Sequence, residues 1–150
     1  MKFALITFTY CLDVDKGTAA GPDALLKVGL ADWLRERGHD VTGPFPVEIP
    51  LEEEAAYGAW NKIGCANARL ARLVSEAVQA HAFPLILESN CYAAIGVLAG
   101  LQASAAKPAS RLGMVWIDAH GDCNTPETTL SGMLIPFLEL IESRACGSIP

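Results

Sequence analysis

Short apolar runs alternate along this chain with longer stretches of helical periodicity. Phe3–Thr9, Pro84–Leu87 and Met114–Ile117 are rich in residues that favour strands and are too short to be helices. A shorter candidate strand covers His39–Gly43, before a predicted loop with three prolines, Pro44–Pro50. Strands that alternate with helices predict an α/β fold, in which a parallel sheet is flanked by helices. In such folds, functional groups lie beyond the carboxyl ends of the strands.

Three helices are predicted between these strands. The first begins at Pro22 and Asp23, which are typical of a helix start, and ends at Gly38. The second runs from about Glu53 to Ala80 and carries a continuous apolar stripe. The third, Ala93–Ala106, consists mostly of small residues, which favour close packing against a neighbour.

Composition narrows the classes of protein that the chain can belong to. A chain of 150 residues suits one domain, and 51% hydrophobic with 19% charged residues excludes a disordered chain. The net charge of -6 argues against nucleic acid or an anionic membrane as a partner, and no apolar run is long enough to cross a bilayer. The five cysteines form no Cys-x-x-Cys pair, and the amino terminus does not resemble a signal peptide. We therefore expect a cytoplasmic protein with reduced thiols.

Asp118, His120 and Asp122 alternate directly after the predicted strand Met114–Ile117. Alternate residues of an extended segment point to the same side, so these three would face the crevice beyond the strand. Two carboxylates and an imidazole suit Mn, Fe, Co or Zn, and two metals bridged by a carboxylate can share and deprotonate one water. The triplet is also consistent with a hydrogen-bonded turn that binds no metal.

The longer segment Trp116–Gly132 resembles the signature of the arginase/agmatinase (ureohydrolase) family, Asp-Ala-His-x-Asp-x-Asn-Thr-Pro followed by Ser-Gly. The resemblance implies an arginase-like α/β fold with two Mn ions. It covers residues 1–132 of the single predicted domain 1–150 and leaves 133–150 as a divergent tail.

The resemblance also implies roles for individual residues. Asp118 would bridge both metals, Asp122 would bind one and His120 the other, and Asp118 and His120 would take part in catalysis. Asn124 and Ser131 match positions that hold the α-carboxylate of the substrate, which favours an amino acid over agmatine. An Asx-turn at Asn124 and a helix cap at Ser131 are the structural alternatives.

Two departures from the family pattern define the expected substrate. Cys91 stands where the segment Gly-Gly-Asp-His-Ser has its metal-binding histidine, so it is a candidate thiolate ligand that favours Zn or Fe over Mn, or else a buried, inert cysteine. Met133–Pro136 replaces a segment that carries a proton-shuttle histidine. Both changes resemble one branch of the family, the Nω-hydroxy-L-arginine hydrolases of D-cycloserine biosynthesis. The resemblance implies hydrolysis of Nω-hydroxy-L-arginine to hydroxyurea and L-ornithine, with L-arginine as the alternative substrate.

A third departure concerns the second half of the family fold. Family members carry a further ligand pair, Asp-x-Asp, in that half, whereas the acidic residues after Asp122 are Glu127, Glu139 and Glu142 only. The chain is therefore predicted to correspond to the N-terminal half. A truncated, non-catalytic ureohydrolase-like protein is the rival interpretation. A redox or metal-storage role for Cys91 and Cys123 ranks below it, because these cysteines are unpaired in sequence. The sequence predicts no oligomeric state.

Overall fold

The computed structural model describes residues 1–10, 17–50, 59–105 and 112–119. The chain divides into two compact units, Met1–Arg111 and Leu112–Pro150. Among the described residues, helices and strands occur in the first unit. In chain order they are β1 (Lys2–Phe8), a short 3-10 turn (Thr18–Ala20), α1 (Gly21–Lys27), α2 (Leu30–Glu36), β2 (Asp40–Pro46), α3 (Ala59–Gln79), β3 (Phe83–Glu88) and α4 (Ala93–Ser104). The predicted boundary between residues 132 and 133 lies outside the described residues.

The three strands form a parallel sheet in the order β2-β1-β3. The pairing of β1 with β3 runs without interruption from Phe3 opposite Phe83 to Phe8 opposite Glu88. The pairing with β2 begins at Lys2 opposite Asp40 and shifts register after Ala4. The predicted α/β class, with a parallel sheet flanked by helices, is confirmed.

Helices cover both faces of the central strand, which explains why β1 is apolar without alternation. Leu5 points to one face, and Ile6 and Phe8 point to the other; all three are fully buried. The Leu5 face packs against residues of the first two helices and the outer strands, namely Leu26, Leu30, Leu34, Val41 and Leu87. The Ile6 face packs against residues of α3 and of the start of α4, namely Ile63, Ala66, Leu70, Val74, Tyr92 and Ala93.

The helices α3 and α4 pack closely together. The side chain of Asn67 is buried between them: its Nδ2 donates to the Ile63 carbonyl at 3.0 Å, and its Oδ1 accepts from the Gly96 amide at 2.7 Å. A Cβ added at Gly96 would lie 2.8 Å from the Asn67 carbonyl oxygen, and one added at Gly100 would lie 2.7 Å from Cβ of Val74. The close packing predicted from the small residues of this helix is therefore present.

Two predicted boundaries were wrong, each because of one residue type. The first helix is interrupted at Gly29, whose φ of +86° is a left-handed conformation that a helix cannot continue through and that glycine adopts without strain. The predicted loop after Gly43 instead continues β2 as far as Pro46. Prolines are tolerated there because β2 is an edge strand of the described sheet, where a missing N–H does not interrupt the ladder.

The predicted fourth strand, Met114–Ile117, was also wrong. Residues 112–118 have no strand or helix assignment, and Val115 and Ile117 are 86% and 93% exposed. A strand needs a hydrogen-bonding partner as well as suitable residues, and strands consecutive in sequence are neighbours in a sheet only about two-thirds of the time. The apolar composition of this segment specified no partner.

Within the four described ranges, no helix is both long and apolar enough to span a membrane.

Candidate metal centre

Cys91 lies just beyond the carboxyl end of β3, in the turn that leads into α4. It is half-buried, and its thiol donates to Asn90 Oδ1 at 3.4 Å. The position suits a site in a parallel sheet, because such folds bind ligands in the crevice beyond the carboxyl ends of their strands. Cys91 is therefore neither deep in the core nor inert through inaccessibility, as the structural alternative would have placed it.

Two neighbours of Cys91 are tied to the chain that follows β1. Ser89 and Tyr92 are both buried, and the hydroxyl of each donates to the carbonyl oxygen of Tyr10. These two residues were not predicted as part of a site. One carbonyl oxygen accepts hydrogen bonds from residues on either side of Cys91, and this arrangement can be recognised only in the three-dimensional structure.

Glu88, the last residue of β3, is the second titratable group at this edge of the sheet. Burial of its carboxyl group raises the pKa of Glu88 from its ordinary value of 4.5 to about 7, although the residue as a whole keeps part of its surface exposed. A carboxyl group with a pKa near 7 can exchange protons at neutral pH. Glu88 was not predicted as a site residue, although it is an acidic side chain directly after the apolar run Pro84–Leu87.

The raised pKa of Glu88 predicts a pH-dependent stability. Below pH 4.5 the side chain is protonated in both the folded and unfolded chain. Between 4.5 and about 7 the unfolded chain loses the proton that the folded chain retains, so stability falls as pH rises and levels off above 7. We expect Glu88→Gln to remove this fall. The melting temperature of the variant should therefore rise relative to that of the unmutated protein as the pH increases from 4.5 to 8. The gain should be a few degrees at most, because Glu88 is partly exposed and water screens its charge.

The measurement is a series of thermal melts in chelator-treated protein, since bound metal would stabilise the carboxylate form. Glu36→Gln removes an exposed carboxylate from the end of α2 and is the matched control. A Glu88→Gln curve that runs parallel to the unmutated curve across this pH range would contradict the assigned pKa.

Asp118 lies near the end of the described segment 112–119 and is exposed. Because this segment is not a strand, Asp118 does not mark the carboxyl end of one, and the strand-based part of the prediction fails for it. His120, Asp122, Asn124 and Ser131 lie outside the described residues. The convergence of His120 and Asp122 with Asp118 on one cleft therefore stays a prediction, as do the substrate-binding roles of Asn124 and Ser131.

Two of the described side chains are candidate metal ligands. A half-buried thiol and an exposed carboxylate, Cys91 and Asp118, are both suitable ligand types for Zn, Fe or Co. Within the part of the chain that the structure describes, no three His, Cys, Asp or Glu side chains are grouped so as to hold a metal. A complete centre therefore requires ligands from beyond the described ranges, such as His120 and Asp122.

Comparison with known proteins decides the family. The sequence pattern of the Arginase family matches residues 2–140. The chain belongs to the arginase family. Its curated relatives include the arginase of Bacillus caldovelox, 35% identical over 123 residues, and that of Bacillus subtilis strain 168, 36% identical over 122 residues. Each of these alignments covers 78% of this chain.

Solved arginases have the same fold over the region compared. A crystal structure of arginase from Bacillus subtilis superposes with a TM-score of 0.79 at 28% identity and covers 95% of this chain. The native arginase of Bacillus caldovelox superposes with a TM-score of 0.75 at 31% identity. The chain spans 40% and 39% of the lengths of the two curated relatives above and 47% of the Bacillus subtilis structure. The architecture is thus consistent with the N-terminal half of the arginase fold, as the sequence predicted.

Proposed function

We propose that this chain supplies the metal-binding face of a ureohydrolase that cleaves the guanidino C–N bond of an amino acid. The proposed substrate is Nω-hydroxy-L-arginine, which gives hydroxyurea and L-ornithine. The observation that carries the proposal is the place of Cys91 in an arginase-family chain. Its thiol lies at the carboxyl end of a parallel strand, where such folds bind ligands, and it is not buried in the core.

Four side chains are proposed as metal ligands: Cys91, Asp118, His120 and Asp122. When bound, a pair of metal ions would supply a hydroxide nucleophile at neutral pH. Mn is the expected metal of the family, and the softer thiolate of Cys91 shifts the preference toward Zn, Fe or Co. A carboxylate and an imidazole tolerate all four metals, so the thiol determines this shift.

The remaining proposed site residues act on the substrate. Asn124 and Ser131 would donate hydrogen bonds to the α-carboxylate, which selects an amino acid over agmatine. Each such bond to a charged group contributes about 1.5–3 kcal/mol.

The choice of Nω-hydroxy-L-arginine rests on proton chemistry. An N-hydroxyguanidine is much less basic than a guanidine, so it is presented in its neutral form more readily, and its central carbon is then open to hydroxide. Hydrolysis of this substrate then requires less proton transfer. This suits a chain that has Met133–Pro136 in place of the segment that carries the proton-shuttle histidine.

Two other functions are alternatives to this proposal. The curated relatives are named arginases, which favours L-arginine as the substrate. The second alternative is a non-catalytic ureohydrolase-like protein, or one that works together with further residues supplied by a longer chain or another subunit.

The test measures the amine that metal-loaded protein releases from each substrate: L-ornithine from Nω-hydroxy-L-arginine and L-arginine, and putrescine from agmatine. We expect kcat/KM to rank in that order, with agmatine at background. We expect Cys91→His to retain metal and to move the ratio of the first two substrates toward L-arginine by roughly tenfold, which corresponds to about 1.4 kcal/mol. Cys65→His, at a half-buried cysteine of α3, is the matched control.

Each rival has its own signature in this experiment. Equal use of agmatine and the amino acids would overturn the role of Asn124 and Ser131. A higher kcat/KM for L-arginine would replace the proposed substrate by the alternative. Protein that binds no metal and releases no L-ornithine would favour the non-catalytic function.

A further inference from the structure

The turn that carries Cys91 is fastened to the end of β1 by three hydrogen bonds. The Ser89 amide donates to the Phe8 carbonyl at 3.0 Å. The Ser89 hydroxyl and the Tyr92 hydroxyl donate to the Tyr10 carbonyl at 2.9 and 3.0 Å. One carbonyl oxygen has two lone pairs and can accept both hydroxyls. Cys91 therefore lies in a short turn whose two ends are both hydrogen-bonded to the Tyr10 carbonyl, which we call the anchor of the turn.

The Tyr92 hydroxyl has a defined direction because its ring is packed. Tyr92 is 3% exposed, and its ring makes edge-to-face contacts with Phe8 at 6.0 Å and with Tyr10 at 6.4 Å between centroids. A ring held by two aromatic neighbours has little freedom to swing its hydroxyl away from the carbonyl.

The main chain between the two ends of this turn is also bonded. The Ala93 amide donates to the Asn90 carbonyl and the Ala94 amide to the Cys91 carbonyl, both at 3.1 Å. These bonds form the tight first turn that leads into α4. With its backbone fixed on both sides, Cys91 retains rotation about its Cα–Cβ bond as the main freedom of the thiol.

We propose that Tyr92 and Ser89 are positioning residues that hold the Cys91 thiol where a metal can bind it, through their shared acceptor on Tyr10. The proposal rests on the proposed function, in which Cys91 is a ligand. A donor that is already ordered loses less conformational entropy when the metal binds. Removing the groups that order a ligand typically lowers metal affinity by about 10- to 100-fold.

The experiment is a titration of the purified chain with Co2+, because a thiolate bound to Co2+ gives a charge-transfer absorption in the near ultraviolet that other ligands do not give. Tyr92→Phe removes the hydroxyl and keeps the ring, and Ser89→Ala removes the second hydroxyl. We expect each to weaken Co2+ binding about tenfold and to lower the thiolate absorption per bound ion. Thr42→Val is the matched control, since Thr42 donates a partly buried hydroxyl to the Phe3 carbonyl at 3.1 Å. It should leave both readouts unchanged.

A double-mutant cycle separates positioning from general damage to the fold. If Tyr92 acts through Cys91, then Tyr92→Phe has no further effect on Co2+ affinity in a Cys91→Ala background. Effects that add in full, or an undiminished thiolate absorption in both Tyr92→Phe and Ser89→Ala, would overturn the positioning role and leave Cys91 as a ligand. Absence of the absorption from the unmutated protein would overturn Cys91 as a ligand, and the positioning role with it.

Discussion

Gly100→Ala is expected to destabilise the folded chain by about 2–3 kcal/mol, the upper part of the range for overpacking a dense core. Alanine favours helices more than glycine does, so the helix alone would be stabilised. The contact with α3 turns this expected stabilisation into a destabilisation of the folded chain. The new Cβ would lie 2.7 Å from Cβ of Val74 and would also clash with the Ala71 carbonyl oxygen. A backbone carbonyl in the middle of a helix cannot move aside, so α3 and α4 must separate. Urea unfolding followed by circular dichroism gives the change in free energy.

Gly64→Ala is the matched control for this prediction. Gly64 is also a helical glycine, in α3, but it is exposed and an added Cβ would meet no atom within 4 Å. The same substitution should therefore stabilise the protein by about 0.5–1 kcal/mol. Stabilisation by both substitutions would show that the two helices do not pack as closely as the structure describes.

Asp118→Asn is expected to weaken metal binding by more than about 100-fold and to abolish any hydrolysis of a guanidino substrate. The proposed role of Asp118 is to bridge two metals, so the substitution removes a negative charge from two cations at once while it keeps the size of the side chain. Loss of a direct ligand should exceed the 10- to 100-fold typical of the groups that merely orient ligands. Isothermal titration with Mn2+ and with Co2+ measures the affinity and the number of ions bound.

Asp32→Asn controls for the loss of one negative charge from the protein. Asp32 lies on the surface of α2, where its carboxylate pairs with Arg35 at 2.8 Å, and an exposed pair of this kind contributes little to stability. Metal affinity should stay the same in this variant. If Asp118→Asn binds both metals as tightly as Asp32→Asn does, Asp118 is not a ligand.

The parts of the fold that were predictable are those in which local residues and tertiary packing agree. β1 is apolar because helices cover both of its faces, so composition alone indicated a buried strand. The break at Gly29 was missed because an apolar helical periodicity continues through Leu26, Leu30 and Leu34 on both sides of it. Met114–Ile117 was misassigned for the opposite reason: its residues favour a strand, yet a strand exists only with a partner.

The candidate site was predictable as far as sequence position determines it. The place of Cys91 after β3 followed from the alternation of strands and helices. Its anchor did not, because Tyr10 lies 79 residues from Ser89 and 82 from Tyr92, and no local pattern links them. The pKa of Glu88 was equally inaccessible, since desolvation depends on which chain segments pack around a side chain.

The central place of β1 has a consequence for how this chain is made. β1 is synthesised before its partner β3, which lies about 80 residues later in the chain, with Phe3 opposite Phe83. Until that partner and α4 have emerged, a nascent chain presents one open edge of β1 and the apolar side chains of Ile6 and Phe8 to solvent and to any chaperone. The speed of translation between β2 and β3 therefore sets how long the most buried strand of the described sheet stays uncovered.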